Sequence, residues 1–135
     1  MLSENYKFFC KIVKKKKMIN VVLGASPNER RYSFKATERL SENGHFVIAV
    51  GVKTGSINGV EIQSEYPISD KIDSLAMYLS IENQEKYYDK ILSNLPRRVI
   101  FNPGTYNPHF QQMLINKGVE VVNDCVLIML NRGTY

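Results

Sequence analysis

The sequence predicts an α/β fold, a doubly wound sheet of five parallel strands in the order 3-2-1-4-5. Two observations carry this prediction. Short apolar runs typical of buried parallel strands recur along the chain, and amphipathic helical stretches separate them. Glycine or proline follows most of these runs, as expected where strands and helices end. The length of 135 residues suits a single domain that buries a sizeable core.

The first half of the domain begins with a nearly continuous apolar run, residues 18–23, which predicts a buried strand. A helix over 33–43 follows, with its first residue, a serine, as N-cap and a glycine just beyond its end. Residues 46–50 are the second apolar run. Glycines and a proline mark 51–70 as a long loop-like crossover, with one short extended piece at 60–62.

The second half repeats the alternation of strand and helix. Residues 74–79 predict the third strand, and a helix over 83–95 presents its apolar residues on one face before a proline ends it. The fourth strand, 99–101, leads to a helix over 107–117 that opens with an asparagine N-cap and a proline. The remaining elements are a fifth strand and a terminal helix, at residues 119–122 and 124–131.

The first 17 residues are set apart by their charge. Six lysines and one glutamate give them a net charge of +5, which is the whole formal charge of the chain. The basic excess therefore gives no support to nucleic-acid binding by the domain. Five of the six lysines follow the apolar stretch 8–10, whereas a secretory signal places its basic residues first. We expect a disordered leader, or upstream sequence ahead of an initiator at Met18; an RNA-binding or membrane-surface arm is the alternative.

The predicted strand order places a switch point between the first and fourth strands, where doubly wound sheets bind ligands. Loop 24–31 then lies beside loop 102–107, and both contain glycine and proline. In the first loop, main-chain N–H groups near a helix start, the Ser26 hydroxyl, Arg30 and Arg31 predict an anion site. The alternative is a tight turn with exposed arginines.

A nicotinamide dinucleotide fits this loop poorly. The usual G-x-G-x-x-G fingerprint is matched only at Gly24, since Ser26 and Glu29 hold the later positions. Lys53 follows the second strand, where an acid would bind the ribose hydroxyls. A lysine there suits a ligand with an extra phosphate on its adenosine ribose, so NADP remains an alternative.

Four motifs resemble those of the small stand-alone coenzyme A-binding proteins, Rossmann-like relatives of the CoA-binding domain of succinyl-CoA synthetase. In chain order, the motifs are residues 24–28 with 31–33, residues 52–55, residues 101–105 and residues 123–130. The resemblance covers residues 18–135, which we therefore expect to be a CoA-binding domain behind the leader 1–17.

The resemblance implies a pocket for coenzyme A or an acyl-CoA at the switch point. By analogy Gly24 and Ser26 meet the phosphates, and Lys53 lies near the phosphorylated ribose. The expected ligand-binding residues, including the two arginines of the anion site, are Gly24, Ala25, Ser26, Arg30, Arg31, Lys53, Ser80, Pro103 and Gly104. Residues 79–83 depart from the Arg-Pro type stretch of many family members, on the adenine side of the pocket.

The expected function is binding without catalysis, as a carrier, sensor or regulatory subunit, alone, as a homodimer or beside an enzyme partner. The alternatives are an acyl-CoA-dependent transferase or ligase component and a weak NADP-dependent reductase. For these, His109 is a candidate acid or base and Cys125 a candidate thiol, although helix and core positions explain both. The two cysteines make no disulfide framework and no metal-ligand spacing, which favours a reducing cytoplasm. The apolar runs are too short to span a bilayer.

Overall fold

A computed structural model describes residues 18–135 of the chain. Its strands are β1 (Ile19–Leu23), β2 (Phe46–Val50), β3 (Ser56–Ile57), β4 (Val60–Gln63), β5 (Ile72–Met77), β6 (Arg98–Phe101) and β7 (Glu120–Asn123). Its α-helices are α1 (Tyr32–Glu42), α2 (Ile81–Gln84), α3 (Tyr88–Ser93), α4 (Pro108–Asn116) and α5 (Val126–Arg132), with a 3₁₀ turn (Glu85–Tyr87) between α2 and α3. The predicted leader, residues 1–17, lies outside the described residues.

The strands form one sheet in the order β3-β4-β2-β1-β5-β6-β7. β3 runs antiparallel to β4, and every other neighbouring pair is parallel. Side chains alternate along β1, so that Val21 and Leu23 pack toward α3 and α4 while Val22 packs toward α1 and α5. Helices therefore cover both faces of the sheet, which confirms the predicted α/β fold.

The number and order of the strands differ from the prediction. The sheet has seven strands instead of five. The strand predicted at 74–79 spans Ile72–Met77 and pairs with β1, whereas the predicted order placed it outside β2. The place outside β2 belongs to β4, which the sequence analysis treated as an extended piece of a loop. Ile62 of β4 is buried between two exposed residues, the alternation of a strand with one face on the core.

A tight hairpin adds β3 to this edge of the sheet. The turn between β3 and β4 consists of Asn58 and Gly59, with φ angles of 49° and 81°. Two central residues with positive φ make the kind of two-residue turn whose twist matches that of the flanking strands, and asparagine followed by glycine is its preferred sequence. This dipeptide is the signal by which the hairpin could have been predicted.

Some helix boundaries agree with the prediction, and others differ from it. Asn107 caps α4 as predicted, since its Oδ1 accepts a hydrogen bond of 3.1 Å from the N–H of Phe110. The predicted N-cap of α1, Ser33, instead lies buried inside the helix, and Arg31 occupies the cap position. The predicted helix over 83–95 is interrupted by the 3₁₀ turn. Among residues 18–135, no helix combines the length and apolarity needed to cross a membrane.

Candidate functional site

A cleft of about 710 Å³ opens at the carboxyl ends of β1, β2, β5 and β6. Its volume falls within the range of small-molecule and cofactor sites, roughly 300–1,000 Å³. Of the nine predicted ligand-binding residues, eight line it: Gly24, Ala25, Ser26, Arg31, Lys53, Ser80, Pro103 and Gly104. The ninth, Arg30, does not line the cleft. The structure therefore brings most of the predicted set together in one place.

The switch point lies between β1 and β5, not between β1 and the strand that precedes loop 102–107. The loop that meets Gly24 is consequently the one after β5. A Cβ atom at Gly24 would lie 3.0 Å from the carbonyl carbon of Tyr78 and 3.2 Å from the main-chain nitrogen of Leu79. Gly24 also has a φ of +97°, a backbone conformation that residues with a side chain rarely adopt. Its lack of a side chain is therefore required by the fold itself, before any ligand is considered.

The loop from β1 to α1 is held by its own hydrogen bonds. The N–H groups of Gly24 and Ala25 both donate to the carbonyl of Val50, each over 2.9 Å. The Ser26 hydroxyl accepts from the N–H of Asn28 over 3.1 Å. No side chain caps the first turn of α1, which leads out of this loop. Since the first N–H groups of a helix have no partner within it, this turn presents donors and a positive dipole end to the cleft.

Two glycines bring the loop after β2 against the loop after β1. The sequence analysis used them only as loop markers, with Gly55 also in the motif 52–55, and did not predict this contact. A Cβ atom at Gly51 would lie 2.1 Å from the carbonyl oxygen of Ala25. A Cβ atom at Gly55 would lie 2.7 Å from the Cβ of Pro27. Both distances are far below a normal contact, so only glycine allows the two loops to meet here. This contact sets the position of Lys53 relative to the first loop.

A buried glutamine joins the loops after β5 and β6. Gln84 is fully buried. Its Nε2 donates to the carbonyls of Leu79 and Thr105 over 2.9 and 2.8 Å, and its Oε1 accepts from Asn107 Nδ2 over 3.0 Å. All the strong hydrogen-bonding groups of this amide are thus used inside the protein, which fixes the separation of the two loops.

A second buried amide fixes the turn at Pro103 and Gly104. Asn102, at the end of β6, donates from Nδ2 to the carbonyl of Met77 over 3.0 Å. Its Oδ1 accepts from the N–H of Val126 over 2.9 Å, and its main-chain carbonyl accepts from Thr105. One side chain therefore connects the ends of two strands to the start of α5, and the turn that lines the cleft lies directly on it.

The cleft carries positive charge. Arg31, Lys53 and Lys86 line it, and its described lining includes no aspartate or glutamate. No ion pair within residues 18–135 involves these three side chains. Lys86 was missed by the sequence analysis, together with the neighbouring Tyr87. They lie in the 3₁₀ turn that departs from the predicted helix, and only the packing of that turn brings them to the cleft.

The candidate catalytic groups lie outside the cleft lining. His109 is in the first turn of α4, where its ring centroid is 6.4 Å from that of Tyr88. Cys125 occupies the N-cap position of α5 and forms no disulfide with any residue of 18–135. Within the described part of the chain, no group of three or more His, Cys, Asp or Glu side chains could hold a metal ion. The cleft therefore offers cations, hydroxyls and main-chain donors, a set suited to binding anions.

Comparison with known protein families identifies one match. The model of the CoA binding domain family matches residues 20–131, which is most of the chain. The matched segment includes every residue that lines the cleft. A search of proteins of curated function found no similar sequence.

Several solved structures share the fold. A crystal structure of an uncharacterized protein is 42% identical, with a TM-score of 0.83 over 87% of this chain and 98% of that one. A hypothetical protein from Pyrococcus horikoshii OT3 is 24% identical, with a TM-score of 0.75 over 93% of this chain and 89% of that one. A protein from Thermus thermophilus is 22% identical, with a TM-score of 0.73 over 87% of this chain and 90% of that one.

Proposed function

The chain belongs to the CoA binding domain family, and on this premise we propose that its carboxyl-edge cleft binds coenzyme A or an acyl-CoA. The observation that carries the proposal is the charge of the cleft, where three cations meet no carboxylate. Coenzyme A carries a diphosphate and a ribose phosphate. A ligand with several negative charges is stabilised by arginine, lysine and helix N–H donors placed around it.

We assign the diphosphate to the first loop and the start of α1. The uncapped first turn of this helix supplies N–H donors, and the Ser26 hydroxyl and the Arg31 guanidinium lie on the same wall of the cleft. Gly24 and Ala25 form the floor here, with their own N–H groups already bonded to Val50. An anion at this position gains both hydrogen bonds and the favourable end of the helix dipole.

We assign the ribose phosphate to Lys53, on the loop that Gly51 and Gly55 hold against the first loop. Lys86 provides a further cation in the same lining. Ser80, Pro103 and Gly104 belong to the remaining wall of the cleft. Under this assignment the cations hold the nucleotide end of the ligand, and the neutral wall receives the rest.

We propose binding without catalysis. The support is that neither His109 nor Cys125 lines the cleft, so the ligand meets no imidazole or thiol there. The protein then serves as a carrier, sensor or regulatory subunit, alone, as a homodimer or with an enzyme partner. We place it in the reducing cytoplasm, where the unpaired thiol of Cys125 stays reduced.

Native mass spectrometry of the purified full chain tests this function. We expect one equivalent of coenzyme A or of an acyl-CoA to be retained, either from the cell or after addition, because the fold holds the cleft open and charged. No retained mass at saturating coenzyme A would overturn the proposal. Turnover of acyl-CoA or NADPH by the same sample would instead support the transferase, ligase or reductase alternatives.

NAD and NADH are expected to bind only weakly. The first loop has one of the three fingerprint glycines, and Lys53 stands where an acid would accept the ribose hydroxyls. Fluorescence titration with NADH checks this, with coenzyme A as the positive control in the same buffer. Saturable binding at low micromolar NADH would contradict the assignment of the cleft to coenzyme A.

A further inference from the structure

A second cavity, of about 280 Å³, lies at the opposite edge of the sheet, where the strands begin. It is formed at the amino ends of β2, β1, β5 and β6, four neighbours in the sheet, and is lined in part by Asn20, His45, Asp73, Arg98 and Tyr135. Nothing in the proposed CoA site uses these residues. We call it the amino-edge cavity.

Three buried polar side chains occupy one row of the sheet at this cavity. Asn20 pairs in register with Ser74, and Ser74 with Arg98. All three are buried, with exposed fractions of 5%, 0% and 8%. The next residues on the same face of these strands are Val22, Ala76 and Ile100, which form the apolar core against α1 and α5. A cation inside such a row is costly unless it is paired, since arginine is almost never buried without a partner.

Arg98 has no carboxylate partner among the described residues. Its Nε donates to the Ser74 hydroxyl over 2.7 Å, and that hydroxyl in turn donates to Asp73 Oδ2 over 2.7 Å, so the Asp73 carboxylate reaches this guanidinium only through a neutral group. The nearby carboxylates of Asp73 and Glu120 contact Arg97 instead, at 2.7 and 3.3 Å. The two terminal nitrogens of Arg98 are therefore left as donors at the cavity, in the fork that binds a carboxylate through two parallel hydrogen bonds.

The aromatic ring of Tyr135 holds this guanidinium in place. The Arg98 Cζ atom lies 4.6 Å from the centroid of the ring, within the range of a cation–π contact. The Tyr135 hydroxyl donates to Asn20 Oδ1 over 2.8 Å, which fixes the ring in turn. The donors of Arg98 are thus arranged before any ligand arrives, which lowers the entropy lost on binding.

The other walls define the size and chemistry of a ligand. Met18 and Phe46 line the cavity and are 39% and 52% exposed, so apolar surface borders the polar row. Burial lowers the pKa of His45, which leaves a neutral imidazole at neutral pH. A volume of about 280 Å³ is well below that of the carboxyl-edge cleft. These walls suit a compact organic acid.

We propose that the amino-edge cavity binds a small monocarboxylate with an apolar body, held by the terminal nitrogens of Arg98 and packed against Tyr135 and Phe46. The carboxylate gives Arg98 a direct charge partner, which it does not have among residues 18–135, since Asp73 pairs with Arg97 and reaches Arg98 only through the Ser74 hydroxyl. The site is separate from the carboxyl-edge cleft, since the two cavities share no lining residue.

The test is a titration of the ¹⁵N-labelled full chain with isovalerate, followed by NMR at constant ionic strength. We expect saturable shifts of the Arg98 Nε–Hε signal and of the main-chain amides of Asn20 and His45, both without coenzyme A and at saturating coenzyme A. Arg98→Met should weaken binding by about tenfold or more, because a charge-assisted contact is lost. Arg98→Lys should weaken it similarly, since a lysine keeps the charge but not the fork.

Arg39→Met is the matched control, because it removes a partly exposed guanidinium from α1 that lies outside the cavity lining. It should leave isovalerate binding unchanged. Shifts that do not saturate, that chloride reproduces, or that centre on Lys53 would overturn the proposal. So would inorganic phosphate binding more tightly than isovalerate, or Arg98→Lys binding as the native chain does. If Arg98→Met fails to fold, the titrations of the native chain and of Arg98→Lys with isovalerate still test the proposal.

Discussion

Lys53→Ala is expected to weaken the binding of coenzyme A by about ten- to a hundredfold, while the binding of dephospho-CoA stays nearly unchanged. A hydrogen bond between charged groups contributes roughly 1.5–3 kcal/mol, which corresponds to this loss in affinity. Dephospho-CoA lacks the ribose phosphate that we assign to Lys53. Calorimetry at fixed salt with both ligands and both proteins gives a double-mutant cycle, whose coupling isolates the contact.

Two variants control this result. Ser26→Ala should weaken both ligands alike, by about fivefold, because a neutral hydroxyl contributes nearer 1 kcal/mol and would touch the shared diphosphate. Lys71→Ala removes a lysine that precedes β5, at the edge of the sheet opposite the cleft, and should change neither affinity. A coupling of zero would mean that Lys53 is a solvated loop lysine and that the ribose phosphate binds elsewhere.

Gly51→Ala is expected to destabilise the protein by about 3 kcal/mol, the upper part of the range for forcing extra atoms into a packed site. The added methyl group would lie 2.1 Å from the carbonyl oxygen of Ala25. A main-chain atom cannot turn aside as a side chain does, so the two loops must separate. For a domain of this size the melting temperature should fall by about 10 °C, as measured by calorimetry or circular dichroism.

Gly118→Ala is the matched control for this loss. Gly118 has a φ of +84°, but a Cβ atom there would meet nothing within 4 Å. Its replacement should cost only the strain of a left-handed conformation, about 1 kcal/mol. Equal melting temperatures for the two variants would show that the loops tolerate the extra methyl group. Gly24→Val is less informative about the ligand, because Tyr78 and Leu79 already exclude a side chain there.

The sheet could be predicted where a strand is buried on both faces. The apolar runs of β1 and β2 are nearly continuous, and both strands lie where the pattern placed them. β4 escaped prediction because only one of its faces is buried and it has four residues, too few for alternation to stand out. The prediction treated both strands of the β3–β4 hairpin as loop and placed β5 outside β2, the position that β4 occupies.

Some residues of the candidate site could be predicted from the sequence, and others could not. Ser26 and Lys53 each lie three residues beyond the end of a strand, and the carboxyl ends of parallel strands meet at one edge of the sheet, so their place in the cleft could be predicted from the sequence. Lys86 lies at the cleft because the neighbouring Gln84 is held there by buried hydrogen bonds to Leu79 and Thr105. Residue spacing in the sequence does not reveal such tertiary contacts. Arg98 begins a strand and would be assigned to solvent from sequence, since arginine is rarely buried.

The hairpin of β3 and β4 forms one edge of the sheet, and its short outer strand limits what that edge offers to other chains. An edge strand offers unpaired N–H and C=O groups to any other chain, which is how sheets fuse into aggregates. Here the outermost strand has two residues and returns at once through Asn58 and Gly59, so it offers few such groups. At the other edge, β7 carries the charged Glu120, paired with Arg97. Loss of β3 alone would leave β4 as an unpaired edge strand, open to pairing with another chain.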